Sequence, residues 1–291
     1  MTELYTIPEI ETNQLDFIPL SICENIAGNY DNYLRTTISH ILKIKKFEKK
    51  NSDKDNFFPN KFEKYFKSNK KILLLDLDET LIHADFFEEF PEKSENKYEN
   101  KYDKIISFYT EEPTNFIQEN TDNNTTDDES KDDSGEKVLN KVGIFLRPKV
   151  QEFLKEISNY FEIGIFTASI PEYADAVINY LDPDEKLIKF RLYRNDCVNL
   201  ENVIKIKDLR IFGENNLNRI VLLDNNIYSF SAQLSNGILI NSFFCDKNDD
   251  ELANVRKYLI DYIYPSDDVR KINEQFFGFE TLFNEFSKLH F

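Results

Sequence analysis

Two carboxylates and a hydroxyl follow an unbroken apolar run near residue 75. The run extends from Ile72 to Leu75, and Asp76, Asp78 and Thr80 come after it at alternate positions. Four consecutive apolar residues predict a strand buried on both faces, as in a parallel sheet. Because open α/β sheets bind ligands at the carboxyl ends of their strands, we expect both acids at that edge. Two such close carboxylates repel each other unless a shared proton or a cation intervenes, and Mg²⁺ takes oxygen ligands.

An aspartate pair after an apolar run also fits a plain loop start or a helix cap. Further polar residues at the ends of predicted strands favour the functional interpretation. Residues 161–166 predict a buried strand that ends in Thr167, Ala168 and Ser169, and a helix follows. Ser169 and Glu172 have the spacing of a capping box. A strand, a polar turn and a helix in this order offer hydroxyls and backbone N–H groups to an anion.

Two more predicted strands end in polar residues. Residues 203–208 form one short strand that carries Lys207 at its end, and residues 219–223 form another that stops at Asp224 and Asn225. Helices are predicted at 33–47, from Arg147-Pro148 onward, after Ser169, and at 249–262. Strands that alternate with helices predict an α/β fold with a central, mostly parallel sheet.

Composition limits the classes of partner. The 291-residue chain has a formal net charge of −17, which argues against direct nucleic-acid binding and against binding to an anionic membrane surface. Its three cysteines lie far apart and predict neither a zinc site nor a disulfide framework. The first residues do not resemble a signal peptide, and no run is long enough to span a bilayer, so we expect an intracellular protein. The oligomeric state is left open.

The chain divides into three parts. Residues 1–70 are interpreted as an accessory N-terminal segment, 71–265 as the α/β domain and 266–291 as a C-terminal helix. This helix either docks on the protein's own surface or binds a partner. The domain contains an insertion at about 86–141. Within it, residues 111–136 are acidic and almost free of apolar residues, which predicts disorder. The flanking residues 105–109 and 142–146 are expected to pair as a small β structure beside the site.

The polar motifs resemble those of the haloacid dehalogenase superfamily. More narrowly, the chain is similar to the small phosphatases of the RNA polymerase II carboxy-terminal domain (the FCP/SCP homology family). The stretches that carry the resemblance are Leu75-Asp-Leu-Asp-Glu-Thr-Leu-Ile-His83, Phe166-Thr-Ala-Ser169, Arg191-Leu-Tyr-Arg-Asn-Asp-Cys197, Lys207-Asp-Leu209 and Leu223-Asp-Asn225. They span about residues 70–262. The resemblance implies a three-layer haloacid dehalogenase-like fold with a small β insertion after the first strand.

The resemblance also implies a mechanism. Asp76 would be the nucleophile that forms an aspartyl-phosphate, and Asp78 the general acid and base. Lys207 would stabilise the phosphoryl oxygens. The implied residues at the substrate are Thr80, Thr167, Ala168, Ser169 and Arg194, and those at Mg²⁺ are Asp76, Asp78 through its backbone carbonyl, Asp224 and Asn225. Arg194 fits a surface ion pair equally well.

The implied function is Mg²⁺-dependent dephosphorylation of protein serine or threonine, with the RNA polymerase II carboxy-terminal domain as the implied substrate and the nucleus as the implied location. Two alternatives stay open. One is a phosphatase of another phosphoprotein or of a small phosphate ester, and the other is an inactive binding protein with the same fold. The chain departs from the family pattern at Asn226-Ile227, where Ser-Pro is usual, and in its longer, more acidic insertion. These departures affect the shape of one loop and the identity of the substrate.

Overall fold

The computed structural model describes residues 41, 62–87, 101–111, 137–200 and 204–289. The predicted helix at 33–47 lies outside these residues except for Ile41, and the predicted disordered segment at 111–136 lies outside them except for Glu111. The elements described below belong to the described part of the chain.

Strands and helices alternate through most of that part. The strands are β1 (Lys71–Leu75), β2 (Ile82–Phe86), β3 (Lys104–Thr110), β4 (Val138–Leu146), β5 (Phe161–Phe166), β6 (Ile188–Leu192), β7 (Val198–Leu200), β8 (Ile204–Ile206), β9 (Ile220–Asp224) and β10 (Gly237–Leu239). The helices are α1 (Val150–Ile157), α2 (Pro171–Leu181), α3 (Glu251–Tyr258), α4 (Val269–Phe277) and α5 (Phe279–Leu289). A π-helical turn, Leu259–Ile263, continues α3, and short 3₁₀ turns make several of the connections. Of the helices in these residues, none combines the length and the apolar character needed to cross a membrane.

The central sheet has five strands in the order β10-β9-β1-β5-β6, and every neighbouring pair is parallel. Alternate residues of β1 face opposite sides, as the period of a strand requires. Leu73 and Leu75 pack with apolar residues of α1, α2 and α3. Ile72 and Leu74 pack on the other side, where 3₁₀ turns and Phe283 of α5 cover the sheet. The predicted three-layer α/β fold with a parallel sheet is confirmed.

The insertion after β1 forms a separate antiparallel sheet in the order β2-β4-β3. Ile105 pairs with Gly143, so the predicted pairing of the two apolar segments is confirmed. The sequence analysis missed β2 as a third strand, and β4 begins at Val138, which lies inside the stretch assigned to the insertion. This sheet packs on α2, where the Tyr173 ring lies 5.3 Å from the Phe86 ring and 5.6 Å from the Phe108 ring.

Three local predictions are wrong. Ser169 is not a helix cap, because α2 begins at Pro171 after Ile170, without a capping side-chain hydrogen bond. Pro148 precedes α1 instead of lying in its first turn, and Lys149 at the helix start has a φ of +63°. The strand before Lys207 is not part of the central sheet, since β8 pairs only with β7 in a two-stranded sheet.

The segments outside the α/β core also contribute to it. The C-terminal residues form two helices, α4 and α5, where one was predicted. From the accessory N-terminal segment, Ile41 and Phe62 are each 2% exposed and join the core on the Ile72 side of the sheet. The Phe62 ring lies 4.5 Å from the Phe212 ring and 5.5 Å from the Phe190 ring. Part of this segment is therefore integral to the folded domain.

Candidate active site

The carboxyl ends of three neighbouring parallel strands meet at one edge of the central sheet. Asp76 follows β1, Thr167 follows β5 and Asp224 is the last residue of β9. The backbone N–H of Asp76 still donates to the Leu223 carbonyl at 2.9 Å, so Asp76 is held within the sheet. Three of the four predicted polar clusters thus come together because their strands are parallel and adjacent.

The fourth cluster reaches the same edge from outside the sheet. Lys207 follows β8, and its backbone N–H donates to the Ser229 carbonyl at 2.7 Å. Its ammonium donates to Asp76 Oδ1 and, at 2.6 Å, to Asp224 Oδ2. Burial alone would lower the pKa of Lys207, but Asp224 and Asp76 together raise it above its usual value. Lys207 is therefore a permanent positive charge beside Asp76.

Asp224 is almost completely buried and is held from two directions. Besides the Lys207 ammonium, the backbone N–H of Asn226 donates to its Oδ1 at 2.8 Å. Burial raises the pKa of Asp224 above its ordinary value, while the ion pair with Lys207 limits that rise. Asp224 thus fixes the position of the Lys207 ammonium and of the loop that follows β9.

Asp78 lies on a different side of the site, against α2. Its Oδ1 accepts a 2.5 Å hydrogen bond from Tyr173 Oη, and its Oδ2 accepts a 2.7 Å bond from Ser169 Oγ. Burial raises the pKa of Asp78; the Tyr173 hydrogen bond opposes this shift and the Asp76 charge adds to it. A carboxyl group whose pKa is raised keeps its proton to a higher pH, as the acid in general acid–base catalysis requires.

Thr80 is fully buried between two predicted ligands of Mg²⁺. Its hydroxyl lies 3.1 Å from Asp76 Oδ2 and 3.3 Å from Asn225 Oδ1, and it accepts from the Asn225 backbone N–H at 3.3 Å. A hydroxyl has one proton and can satisfy only one of the two oxygens at a time. The structure therefore gives Thr80 a position between Asp76 and Asn225, inside the protein, where it orients both.

These residues fit a Mg²⁺ ion. Asp76 Oδ2 and Asn225 Oδ1 converge on one hydroxyl, and oxygen atoms are the ligands that Mg²⁺ takes. The site also carries three carboxylates, of Asp76, Asp78 and Asp224, against the single ammonium of Lys207, so a divalent cation would offset excess negative charge. Within the described ranges, no three His, Cys, Asp or Glu side chains form a metal-binding group. Binding would thus depend on Asp76, Asn225 and the backbone oxygen of Asp78 implied by the resemblance.

The turn after β5 supplies the predicted anion-binding groups. Thr167 is 1% exposed, and its hydroxyl accepts from the Ser169 backbone N–H at 3.1 Å. Arg194 contacts this turn through two hydrogen bonds. Its Nε donates to the Ala168 carbonyl at 2.7 Å, and its backbone N–H donates to the Ser169 carbonyl at 3.0 Å. Arg194 therefore holds the turn in place, and its contact with the substrate stays a prediction.

Arg147 was predicted only as the start of a helix, but it connects the site to the rest of the domain. Its side chain is fully buried and forms an ion pair with Asp249 at 2.7 Å. The same guanidinium donates to the Thr80 carbonyl at 2.9 Å and to the Asn241 carbonyl at 2.8 Å. The loop after β10 contacts the site next to this point, since Ser242 Oγ accepts from Asn225 Nδ2 at 3.0 Å.

Two functional contributions were not predicted from the sequence. Tyr173 lies in the helix predicted after Ser169, and its hydroxyl is the group that contacts Asp78. Arg147 was predicted only as the start of a helix, and its buried guanidinium pairs with Asp249. Helical periodicity identifies which face of a helix is buried, but it does not show whether a buried tyrosine hydroxyl meets a carboxylate. A signal for Arg147 was available, since an arginine between the apolar residues Leu146 and Val150 requires an acidic partner once it is buried.

Comparisons with known proteins agree with this geometry. The family model described as "NLI interacting factor-like phosphatase" matches residues 71–270. The chain is 44% identical over 113 residues to "CTD small phosphatase-like protein 2" of Dictyostelium discoideum, a match that covers 39% of this chain and 19% of that protein. It is 34% identical to "Phosphatase PSR1" of Saccharomyces cerevisiae, over 70% of this chain and 39% of that protein. It is 31% identical to "CTD nuclear envelope phosphatase 1B" of Danio rerio, over 68% of this chain and 69% of that protein.

For the first two of these relatives the chain matches well under two-thirds of their length, so the comparison concerns a shared domain. The matched family region contains every residue of the site built above, from Asp76 to Asn225. The parallel sheet, the small antiparallel insertion and the four polar clusters at one edge agree with the same assignment. The chain belongs to the NLI interacting factor-like phosphatase family.

Proposed function

We propose that this protein is a Mg²⁺-dependent phosphoprotein phosphatase that acts through an aspartyl-phosphate on Asp76. The observation that carries the proposal is the arrangement of two carboxylates with different environments. Asp76 accepts a hydrogen bond from the charged Lys207, while burial raises the pKa of Asp78. One carboxylate is thereby suited to nucleophilic attack and the other to proton transfer.

In the first step, an oxygen of Asp76 attacks the phosphorus of the substrate. A bond forms between that oxygen and phosphorus, and the bond from phosphorus to the serine or threonine oxygen breaks. Asp78 gives its proton to this leaving oxygen, which would otherwise depart as a strongly basic alkoxide. The hydrogen bonds from Ser169 and Tyr173 hold the Asp78 carboxyl in the position from which it donates.

In the second step, water attacks the phosphorus of the aspartyl-phosphate. Asp78, now ionised, accepts a proton from that water, the phosphorus–oxygen bond to Asp76 breaks, and inorganic phosphate leaves. Lys207, Thr167 and the backbone N–H groups of the turn after β5 stabilise the negative charge on the phosphoryl oxygens in both steps. A bound Mg²⁺ would be held by Asp76, the Asp78 carbonyl and Asn225, Asp224 would orient its water ligands, and the ion would supply further charge stabilisation.

We propose a phosphorylated serine or threonine of a protein as the substrate. The names of the relatives support this class, since two of them are named as CTD phosphatases. By the same reasoning, the RNA polymerase II carboxy-terminal domain is the first substrate to test, and a nuclear location is the first to examine. The net charge of −17 disfavours nucleic acid as a direct partner.

Phosphate release from a small aryl phosphate and from phosphoserine peptides, with and without Mg²⁺, tests this proposal. We expect Mg²⁺-dependent turnover by the wild type and a loss on the order of 10⁴–10⁶-fold in Asp76→Asn, as for other covalent nucleophiles. This substitution keeps the size and shape of the side chain, so the variant should remain folded. Turnover retained in Asp76→Asn would remove Asp76 as nucleophile.

The two alternatives give other outcomes in the same assay. A phosphatase of small esters would hydrolyse the aryl phosphate and reject every phosphopeptide. A binding protein would be folded and inactive on all of them. The presence of Asp76, Asp78, Lys207 and Asn225 together disfavours this last interpretation, because binding alone gives no reason to bury a lysine between the carboxylates of Asp76 and Asp224.

A further inference from the structure

A large aromatic residue is exposed beside the proposed catalytic centre. Phe244 is 67% exposed, the highest value among the exposed large apolar residues of the described part of the chain. Its ring meets the His83 ring edge-on, with 5.6 Å between the centroids and 75° between the planes. His83 in turn stacks on Phe145 of the neighbouring strand at 6.2 Å. We call Phe244, His83, Phe145, Glu79 and Asp85 the Phe244 surface.

The Phe244 surface is connected directly to the site. The backbone N–H of Phe243 donates to the Glu79 carbonyl at 2.7 Å, and Glu79 follows the proposed acid Asp78. One residue earlier, Ser242 contacts the proposed metal ligand Asn225. When the phosphorylated residue of a polypeptide lies at Asp76, a residue that flanks it would therefore lie close to Phe244.

Carboxylates surround the aromatic groups. Glu79 Oε1 lies 3.1 Å from His83 Nδ1, and Asp85 Oδ1 lies 3.5 Å from His83 Nε2. Asp103 is also close, since its Oδ2 accepts at 2.7 Å from the backbone N–H of Leu146, the residue after Phe145.

One lysine partly balances this charge. Lys101 Nζ donates to Asp85 Oδ2 at 2.9 Å and to Tyr102 Oη at 2.8 Å. Three carboxylates, of Glu79, Asp85 and Asp103, then face one ammonium, so the surroundings of Phe244 are net negative. A cation is attracted both to the face of an exposed aromatic ring and to the carboxylates that surround the ring here.

We propose that the Phe244 surface binds a lysine or arginine that flanks the phosphorylated residue in a protein substrate. This inference rests on the proposed phosphatase function and adds a sequence preference to it. The aliphatic part of the basic side chain would cover the Phe244 ring, and its charged end would lie between the carboxylates. A phosphorylated segment with acidic flanking residues would be disfavoured by the same charges.

The preference can be measured with matched phosphoserine peptides. In one set a lysine precedes or follows the phosphoserine, in a second set norleucine replaces that lysine, and in a third set glutamate replaces it. Norleucine keeps the aliphatic chain and removes the charge. We expect kcat/KM of the better lysine peptide to exceed that of its norleucine partner about tenfold, as one cation–π contact and one exposed ion pair provide. The difference should lie in KM, because such contacts act equally on the bound substrate and on the transition state.

Two substitutions test the residues. Phe244→Ala and Asp85→Asn should each reduce the lysine-to-norleucine ratio to about threefold or less. Tyr264→Ala is the matched control, because Tyr264 is 46% exposed and contacts Tyr160 and Phe161 at the opposite end of the sheet. It should keep the wild-type ratio.

A ratio near one in the wild type, or a ratio unchanged in both Phe244→Ala and Asp85→Asn, would overturn the inference. Hydrolysis of the aryl phosphate separates this failure from a failure of the proposed function. An enzyme that hydrolyses the aryl phosphate and all peptides without preference remains a phosphatase and lacks the basic subsite. A wild type that hydrolyses nothing contradicts the proposed function itself, and this inference with it.

Discussion

Replacing Arg147 with methionine removes the buried guanidinium that joins the loop after β1, at Thr80, to the loop after β10, at Asn241. Arg147 is fully buried and its partner Asp249 is 11% exposed. Removing one member of a buried ion pair costs about 3–5 kcal/mol, because the other charge is left without a partner. The carbonyls of Thr80 and Asn241 also lose a donor, at about 1–3 kcal/mol for each buried group left unsatisfied.

These costs overlap, since water can reach part of the space that the guanidinium leaves. We therefore expect Arg147→Met to lower the free energy of unfolding by about 4–6 kcal/mol. Urea denaturation followed by circular dichroism measures this change. In the folded fraction, turnover of an aryl phosphate should fall tenfold or more, because Thr80 positions both Asp76 and Asn225 and small displacements of catalytic groups reduce rates strongly.

Two further variants separate the charge from the packing. Asp249→Asn leaves Arg147 buried without its counter-charge and should destabilise the protein by a similar amount. The double variant Arg147→Met/Asp249→Leu removes both charges and should lose less stability than either single variant, since apolar side chains replace buried ion pairs well. A loss below about 1 kcal/mol in Arg147→Met, the range of surface substitutions, would refute this reasoning.

Three further predictions concern the core, the general acid and the metal. Phe62→Ala should lower the free energy of unfolding by about 3–5 kcal/mol, since Phe62 is 2% exposed within the aromatic cluster, whereas Tyr65→Phe removes only an exposed hydroxyl and should cost under about 1 kcal/mol. Equal losses of the two variants in urea denaturation would contradict this. Tyr173→Phe removes a hydrogen-bond donor that stabilises ionised Asp78, so the pKa of Asp78 should rise further and the high-pH decline of kcat on phosphoserine peptides should move to higher pH. A decline that does not move would show that Tyr173 does not act on the general acid. Asn225→Ala should raise the Mg²⁺ concentration for half-maximal rate about 10–100-fold, and an unchanged value would exclude Asn225 as a ligand.

The elements that carry the site follow from local sequence patterns. The apolar runs before Asp76, Thr167 and Asp224 predict buried parallel strands, and parallel strands bring their carboxyl ends to one edge. The convergence of these three residues therefore needs no information beyond strand identity and order. Lys207 is different, because β8 lies outside the central sheet and its position depends on the contact of Lys207 with Ser229.

Ser169 and Arg147 depart from their local sequence patterns for one physical reason, which is that their side chains bind partners far away in the sequence. Ser169 has the spacing of a helix cap, but its hydroxyl donates to Asp78, which lies 91 positions earlier in the chain. Arg147 opens a helical pattern, but its partner Asp249 lies 102 positions later. Sequence spacing describes local competition well and carries no information on such distant partners.

The exposed position of Phe244 likewise depends on a contact between residues far apart in the sequence. Phe243 and Phe244 are adjacent aromatic residues, and of the two only Phe243 is buried, at 2% exposure. Phe243 reaches the core beside Arg147, with 5.5 Å between the guanidinium carbon and the ring centroid. With Phe243 in the core, Phe244 lies outside it beside His83.

The most direct test of the account is detection of a phosphoryl group on Asp76. In Asp78→Asn, an aryl phosphate with a good leaving group still permits attack by Asp76, whereas water attack on the intermediate lacks its base. The account predicts a burst of about one aryl alcohol per enzyme, followed by slow turnover. Mass spectrometry of the quenched protein should then find one phosphoryl group on Asp76, absent in Asp76→Asn/Asp78→Asn. A wild type that turns over with Mg²⁺ while Asp78→Asn gives neither a burst nor modified Asp76 would contradict the covalent mechanism.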